Sequence, residues 1–521
     1  MGSGKGARAR LAFVLHAHIP WVRIPEERFP LQELWLYQAM LDSYIPFLQM
    51  VEHLWPAGIP PKITLSVSPT LISMLDDPYF TARFLDYLAV LKELCGIAAK
   101  RGGFDAARAA GFLARRAAES GDWLARQERG LVGAIRAAAG HGVNLICTAA
   151  THAFLPAWRH SPGMVRLQVE TGLRCFEKII GSRPDGFWLP EMGYYAGLDG
   201  LLAHARIDYT FLSAHSLYAT PTVPPTGNFF PVVTGTGLRV FPRDAGLSDR
   251  IWSRESGYPG DVRYREFHRD YTYDIPEGEL SSHGVTRSPF GLRLFGITGG
   301  SSEKKFYDPG EASLACDEHA EGFIAAVRER AARVRELAGI DPVFTLPFDL
   351  ELFGHWWYEG PLFLERVLRA VEQSDDLELV TPDDFPGGLD MPLVVPAESS
   401  WGRGGYGATW LNPDVIDVYS RAAGLFDRLC ALSRRADPHS IFAAAREIML
   451  LQSSDWAFGI SNDNFRDYFL GRIAEHTGAA ETIIGRMESG ADDNDFTAGR
   501  AARYPIFDTL AGEIAELVRK G

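Results

Sequence analysis

Short apolar runs alternate with longer amphipathic stretches along the first two thirds of the chain. Runs at Leu11–Leu15, Ile63–Val67, Asn144–Cys147, Gly186–Leu189, Tyr209–Leu212, Leu292–Ile297 and Val343–Leu346 predict β-strands. Between them, Leu31–Leu54, Met164–Ile180, Ala312–Leu337 and Leu362–Glu372 repeat apolar residues at helical spacing. Strands separated by helices pair in parallel, because a crossover returns the chain to the same end of the sheet. The expected core is therefore an α/β, βα-built sheet covered by helices. An Ala/Arg-rich stretch, Ala98–Gly140, predicts two helices packed outside that sheet. A second insertion, Leu217–Glu279, is dense in Gly, Pro and Tyr and predicts irregular structure too long for an ordinary connector. Pro and Gly between Pro382 and Ser400 predict a linker with a domain boundary near Pro396, and from about Asp414 the pattern reads helical.

With 521 residues, 46% of them hydrophobic, the chain can bury a large core. A net charge of -14 repels a phosphate backbone, so nucleic acid is not an expected partner. Cys95, Cys147, Cys175, Cys316 and Cys430 show no CxxC spacing and are odd in number, which argues against a disulfide framework and for a reducing, cytoplasmic compartment. The apolar run that follows the Gly/Arg-rich Met1–Arg10 is too short for a signal segment, and no run approaches the ~18 apolar residues of a membrane span. Nothing in the sequence decides the oligomeric state.

Candidate chemistry changes the picture through its placement. His16 and His18 follow LAFVL, His152 follows NLICTAA, Glu191 follows GFWLP, His215 follows YTFLSA, and Asp349 and Glu351 follow VFTLPF. Carboxyl ends of parallel barrel strands converge on one face, so these distant residues are expected to meet in one cleft. Glu191, between Trp188, Leu189, Pro190 and Met192, would be costly to bury for structure alone. Asp349 lies among Phe348, Phe353, Trp356 and Trp357, and apolar walls raise a carboxyl pKa toward that of a general acid. Alternation puts Glu351 on the same face, so spacing alone does not decide which is the acid.

Two carboxylates with aromatic walls suit glycosidic chemistry: one attacks the anomeric carbon and the other protonates the leaving oxygen. Tryptophans at 21, 252, 356, 357, 401, 410 and 456 can stack on sugar faces or fill a core, and Trp401 and Trp410, in the Gly-rich SSWGRGGYGATWLN, read best as a subsite wall. Two other classes compete. His16-x-His18 with Asp349 and His355 could compose the metal site of a hydrolase or deacetylase, although no HExxH pair supports it. A non-catalytic glucan-binding protein would function without Glu191.

The motifs HAHIP at His16–Pro20, ATHAFLP at Ala150–Pro156, GFWLPEMGY at Gly186–Tyr194, PFDLELFGHWW at Pro347–Trp357 and SSDW at Ser453–Trp456 together resemble glycoside hydrolase family 57. GYPGDVRYREFHRD at Gly257–Asp270, EKKFYDP at Glu303–Pro309 and SWGRGG at Ser400–Gly405 are similar to its branching-enzyme group. The resemblance implies an incomplete (β/α)7 barrel over 1–395, then an α-helical domain over 396–521 that contributes to the cleft. It also implies an α-1,4-glucan as partner, no metal or cofactor, Glu191 as nucleophile and Asp349 as acid/base. His16, His152 and Asp455 match donor-subsite positions; Trp21, Trp252, Trp401 and Trp410 match glucan-binding ones. The full candidate binding set adds His18, His215, Arg243, Glu351, His355, Trp356 and Trp456. Branching members carry a long loop with a tyrosine above the site; here the interval from His215 to Gly237 is shorter, with Tyr218 its single tyrosine. Branching is the first expectation, and a hydrolysis-dominated α-amylase or a 4-α-glucanotransferase of the same family the alternative.

Overall fold

The computed structural model describes residues 8–253, 257–299, 301, 303–387, 390–463, 465–491 and 494–520. Among the described residues ten strands occur in chain order: β1 Ala9–Ala17, β2 Ile63–Val67, β3 Val143–Thr148, β4 Gly186–Trp188, β5 Tyr209–Leu212, β6 Val232–Thr234, β7 Arg239–Pro242, β8 Val343–Asp349, β9 Leu377–Leu379 and β10 Leu393–Val394. Seven of them run in parallel in the order β7-β5-β4-β3-β2-β1-β8. A parallel bridge between Arg243, just beyond β7, and Thr345 of β8 brings the two ends of that run together. The result is the expected incomplete (β/α)7 barrel. One core fills its interior with Val14, Ile146, Trp188, Phe211 and Phe241. A larger one lies between the sheet and the surrounding helices. Alternation along β1 sends Ala12, Val14 and then His16 inward, so the polar residues appear where the strand reaches the barrel mouth.

Helices cover the outside. The amphipathic stretch from Leu31 is one helical run, Leu31–Ala39 and Ile45–Leu54, joined by a π-helical turn at Met40–Tyr44. Helices Pro162–Ile180, Pro309–Ala338 and Gly360–Glu372 follow their predicted positions, the first two ending at left-handed Gly181 and Gly339. Beyond Val394 the described residues are helical or irregular, from Ile416–Leu432 to Ala511–Lys520. Among the described residues, no helix is long and apolar enough to cross a membrane. The five cysteines are unpaired.

Four expectations change. Leu292–Ile297 is not a sheet strand: it makes isolated bridges at Phe295 and Gly296, starts beside left-handed Gly291, and buries charged Arg293. The insertion 217–279 contains β6 and β7, whose three- and four-residue lengths hide among Pro and Gly. The supposed linker supplies β10, which pairs with β6. The helical insertion begins at Pro78 and comprises three helices, Pro78–Arg101, Gly103–Arg126 and Gly130–Ala139, because Pro78 and Asp77 form a capped start that the Ala-rich composition masks. Of the Met1–Arg10 opening, residues 1–7 lie outside the described residues.

Candidate active site

The first layer of the site is a string of imidazoles held by serines. His16 Nδ1 meets Ser66 Oγ at 3.0 Å and His18 Nδ1 meets Ser68 Oγ at 2.8 Å, so the i, i+2 pair at the end of β1 is matched by an i, i+2 pair at the end of β2. His16 Nε2 lies 2.9 Å from His152 Nε2, and His152 Nδ1 lies 2.8 Å from Ser454 Oγ. His18 Nε2 lies 2.9 Å from Asp455 Oδ2. Burial and the neighbouring imidazoles hold His16 and His152 well below the usual histidine range. Burial opposes ionisation of Asp455, but the charge and hydrogen bond of His18, helped by His152 and Ser453, bring it down to about 2. His18, His152 and Asp455 form a grouping with metal-ligand chemistry, their ligand atoms within 4.8 Å. It is a different set from the one the spacing suggested, since neither Asp349 nor His355 belongs to it.

Glu191 sits on a one-turn helix, Pro190–Met192, immediately after β4. Its backbone is left-handed, with φ 58° and ψ 21°, and Met192 follows at φ 50°. Such conformations cost non-glycine residues on the order of 1 kcal/mol or more and persist only when surroundings impose them. Here Met192 is anchored in the barrel core, and the Trp401 amide donates to the Glu191 carbonyl at 3.1 Å. The carboxylate accepts from Trp401 Nε1 at 2.8 Å and from Ser454 Oγ at 3.0 Å, with His152 Nδ1 at 3.8 Å. Burial pushes its pKa up to about 7 despite the Trp401 and Ser454 hydrogen bonds, and the charges of Asp349 and Asp455 add to the rise.

Asp349 ends β8, in register with His16 of β1. Burial raises it well above the usual carboxylate range, Glu351 and Asp455 raise it further, and Arg243 opposes them. Glu351 is itself pushed to about 7 by burial; it takes the Tyr44 hydroxyl and, at 3.1 Å, the His18 amide. Arg243 is mostly buried, with one amino group 3.8 Å from Asp249.

Aromatic rings line the rim. The ring of Trp401 lies 5.1 Å from that of Trp188, which stacks on His16, and 6.3 Å from that of Trp252. Trp252 lies edge-on to Trp356 at 6.1 Å, and both are about two-fifths exposed (41% each). His215, exposed, fits against Gly405 so closely that a Cβ there would lie 2.3 Å from its ring. Three predicted tryptophans behave otherwise. Trp21 packs edge-on to Phe80, Trp410 stacks on Phe154, and Trp456 donates to the Leu450 carbonyl; each is buried to 2% exposure and has no face to offer a sugar. His355 is set apart from the imidazole string, with its ring against Phe267 and near the charges of Arg293 and Arg265.

Several contributors escaped the sequence reading. Ser66, Ser68, Ser453 and Ser454 orient the histidines and carboxylates, and the only available signal was SVS at the end of β2 paralleling HAH at the end of β1. Tyr44 lies inside a helix pattern that gave no warning. Trp35 joins the rings of Phe465 and Tyr468, the latter close enough to Asp455 to feel its charge, which extends the aromatic rim toward the C-terminal helices.

A parallel barrel whose mouth gathers two buried carboxyl groups and a wall of indoles is the construction of an enzyme acting on glycosidic bonds. The chain belongs to glycosyl hydrolase family 57: the family's model matches residues 12–274, and a model described as 1,4-alpha-glucan branching enzyme, C-terminal, matches residues 429–514. A probable 1,4-alpha-glucan branching enzyme of Mycobacterium tuberculosis is 32% identical, covering 94% of each chain. Among solved structures, the alpha-amylase AmyC of Thermotoga maritima superposes with a TM-score of 0.90 at 31% identity, over 98% of this chain and 99% of that one. A GH57-type branching enzyme of Pyrococcus horikoshii superposes at 0.86 and 28% identity, covering 97% and 96%.

Proposed function

We propose that the protein is a retaining 1,4-alpha-glucan branching enzyme, with Glu191 as nucleophile and Asp349 as acid/base. The observation that carries the assignment is the contrast between the two carboxyl groups. Glu191 is surrounded by donors, Trp401 Nε1 and Ser454 Oγ, which favour an anion ready to attack. Asp349 accepts no side-chain hydrogen bond among the described residues and faces the negative charge of Glu351 and Asp455, which favours the protonated acid. The Glu191 carboxylate attacks C1 of an α-1,4-linked glucosyl unit while Asp349 gives its proton to the departing 4-oxygen, leaving a covalent glycosyl ester. Asp349, now a carboxylate, removes the proton from a 6-hydroxyl of a second chain, which displaces Glu191 and creates an α-1,6 branch. If water takes the acceptor place the product is a shortened chain. Retention requires the two carboxyl groups to close to about 5–5.5 Å around the sugar.

In this reading the segment 1–395 carries the barrel and 396–521 completes the cleft, lending Trp401, Ser454 and Asp455. Trp252, Trp356 and Trp401 are the stacking surfaces for the glucan. His16, His18, His152 and Asp455 bind the hydroxyls of the donor sugar, and His215, Glu351 and Arg243 support the reacting groups.

A second reading, predominant hydrolysis, is favoured by Tyr218. It is 51% exposed, on the four-residue helix His215–Tyr218, but its hydroxyl is already bonded to Asn228 Oδ1 at 2.7 Å. The interval after it is drawn into β6 within the sheet, so the segment has little reach to cover an acceptor. Incubation with amylose, followed by counting new α-1,6 linkages against new reducing ends, tests the choice. Branches in excess support transfer; reducing ends without branches overturn it.

A further inference from the structure

Away from the cleft, a cavity of about 360 Å³ opens among helix Gly103–Arg126, the start of Pro309–Ala338 and the start of Gly360–Glu372. Ligand pockets span roughly 300–1,000 Å³, so one or two sugar rings are within its scale. Its walls include Phe112, Tyr307 and Tyr358, and two buried carboxyl groups, Asp42 and Glu359, each 3% exposed. Both have one satisfied oxygen: Asp42 Oδ2 accepts from Arg265 at 2.7 Å, and Glu359 Oε1 accepts from the Arg265 amide at 3.1 Å. Asp42 Oδ1 and Glu359 Oε2 have no protein donor. The Tyr307 hydroxyl is near enough to ease the Glu359 charge without reaching hydrogen-bond geometry. Buried acceptors without donors are costly, and a group that supplies O–H donors would recover that cost.

We propose that this cavity is a second sugar site, taking a neutral glucosyl or maltosyl unit whose apolar face rests on the aromatic wall and whose hydroxyls donate to Asp42 Oδ1 and Glu359 Oε2 once the side chains that seal those two oxygens turn aside. A neutral polyol fits better than an ion. Arg265 and Arg293 already offset Asp42, and Arg116 on the wall, bonded to Gln49 at 3.0 Å, is balanced by Glu119, so the lining gives neither sign of ion a clear advantage. The site also touches the acid/base loop through three consecutive residues of the π-turn Met40–Tyr44, a type of irregularity that often marks functional positions. The Asp42 carbonyl packs against Gly354 so tightly that a Cβ there would lie 1.8 Å away. Ser43 Oγ accepts from the His355 amide at 2.9 Å, and the Tyr44 hydroxyl donates to Glu351. Sugar held by Asp42 therefore bears on the segment that begins at Asp349.

The test is calorimetric titration of the full Glu191→Gln chain with maltose, repeated with Leu362→Trp, which fills the mouth of the cavity, and with Phe112→Ala, which removes a wall. Two classes of site are expected, of which Leu362→Trp abolishes one and leaves the other within about 2-fold; Phe112→Ala weakens the same class by roughly 2–10-fold. Maltose should also slow amide exchange at 353–357 in the parent and less in Leu362→Trp. Maltoheptaose filling the same class would identify a chain end as the ligand, and its exclusion a free sugar. A single class untouched by both substitutions overturns the proposal and leaves the assignment of the cleft standing. Turnover surviving in Glu191→Gln overturns the cleft assignment regardless of the cavity.

Discussion

Two clusters of buried acid in this molecule resemble each other in burial and differ in company. In the C-terminal helices Glu447, fully buried, accepts from Arg500 at 2.7 Å and meets His476 at 2.8 Å. Burial opposes its ionisation, but those partners bring its pKa down to about 2. At the barrel mouth Glu191 is buried too, yet its donors are a neutral indole and a neutral hydroxyl, and its pKa is pushed up to about 7. A cation makes a buried carboxylate a structural tie; neutral donors leave it poised to change charge. Burial alone separates neither.

The largest effect should come from breaking the proposed nucleophile. Glu191→Gln is expected to cost at least a thousandfold in turnover on amylose, with glucan binding retained in a gel-mobility or calorimetric assay. Its structural counterpart should do the opposite. Glu447→Gln leaves Arg500 with Glu475 alone, at 2.7 Å, and removes the charge that faces both Arg500 and buried His476; it is expected to lower stability by up to about 3 kcal/mol in denaturant unfolding, with kcat of the folded fraction unchanged.

Stability against pH sharpens the contrast further. The folded pKa of Glu191 lies above its unfolded value, so native protein binds more protons between about pH 4.5 and 7; its contribution is present below that window and lost as pH rises through it, by about 3 kcal/mol. Glu447 has a depressed folded pKa, so its contribution is present above about pH 4.5 and lost as pH falls toward 2. Glu191→Gln should therefore unfold at a higher temperature than the parent at pH 8 and at about the same temperature at pH 4.5. A gain at both pH values would show that ionisation of Glu191 is not the cause.

Smaller effects probe the neutral donors and the rim. Trp401→Phe keeps a ring but deletes the hydrogen bond that favours the Glu191 anion, so the acid limb of kcat/KM should move to higher pH while kcat at high pH falls about 10-fold; an unmoved limb would assign Trp401 to packing. Trp252→Ala should raise KM for long glucans by roughly 2–10-fold with little change in kcat.

Along the chain, the barrel strands were legible because period and length speak directly of burial: six of the seven parallel strands coincide with apolar runs, and the polar residues that follow them mark the mouth. Glu191 and Asp349 were visible as acids set among aromatics. The short strands β6, β7 and β10 were not legible, since two to four residues carry too little periodicity to outweigh neighbouring Pro and Gly. Nor could tryptophan content separate Trp410, sealed against Phe154, from Trp252, open at the rim, because indole serves a core and a sugar equally well.

What the sequence by itself determined is which groups stand at the ends of strands, since alternation and strand length are local properties. Tertiary structure alone decided their partners. Ser454 reaches Glu191 across 263 residues and Asp455 reaches His18 across 437, contacts made by barrel closure and by the helix Ser454–Ser461 folding over the mouth. Desolvation and neighbouring charge depend on those long-range approaches, so the pKa of each acid, and with it the division of labour between them, exists only in the folded chain.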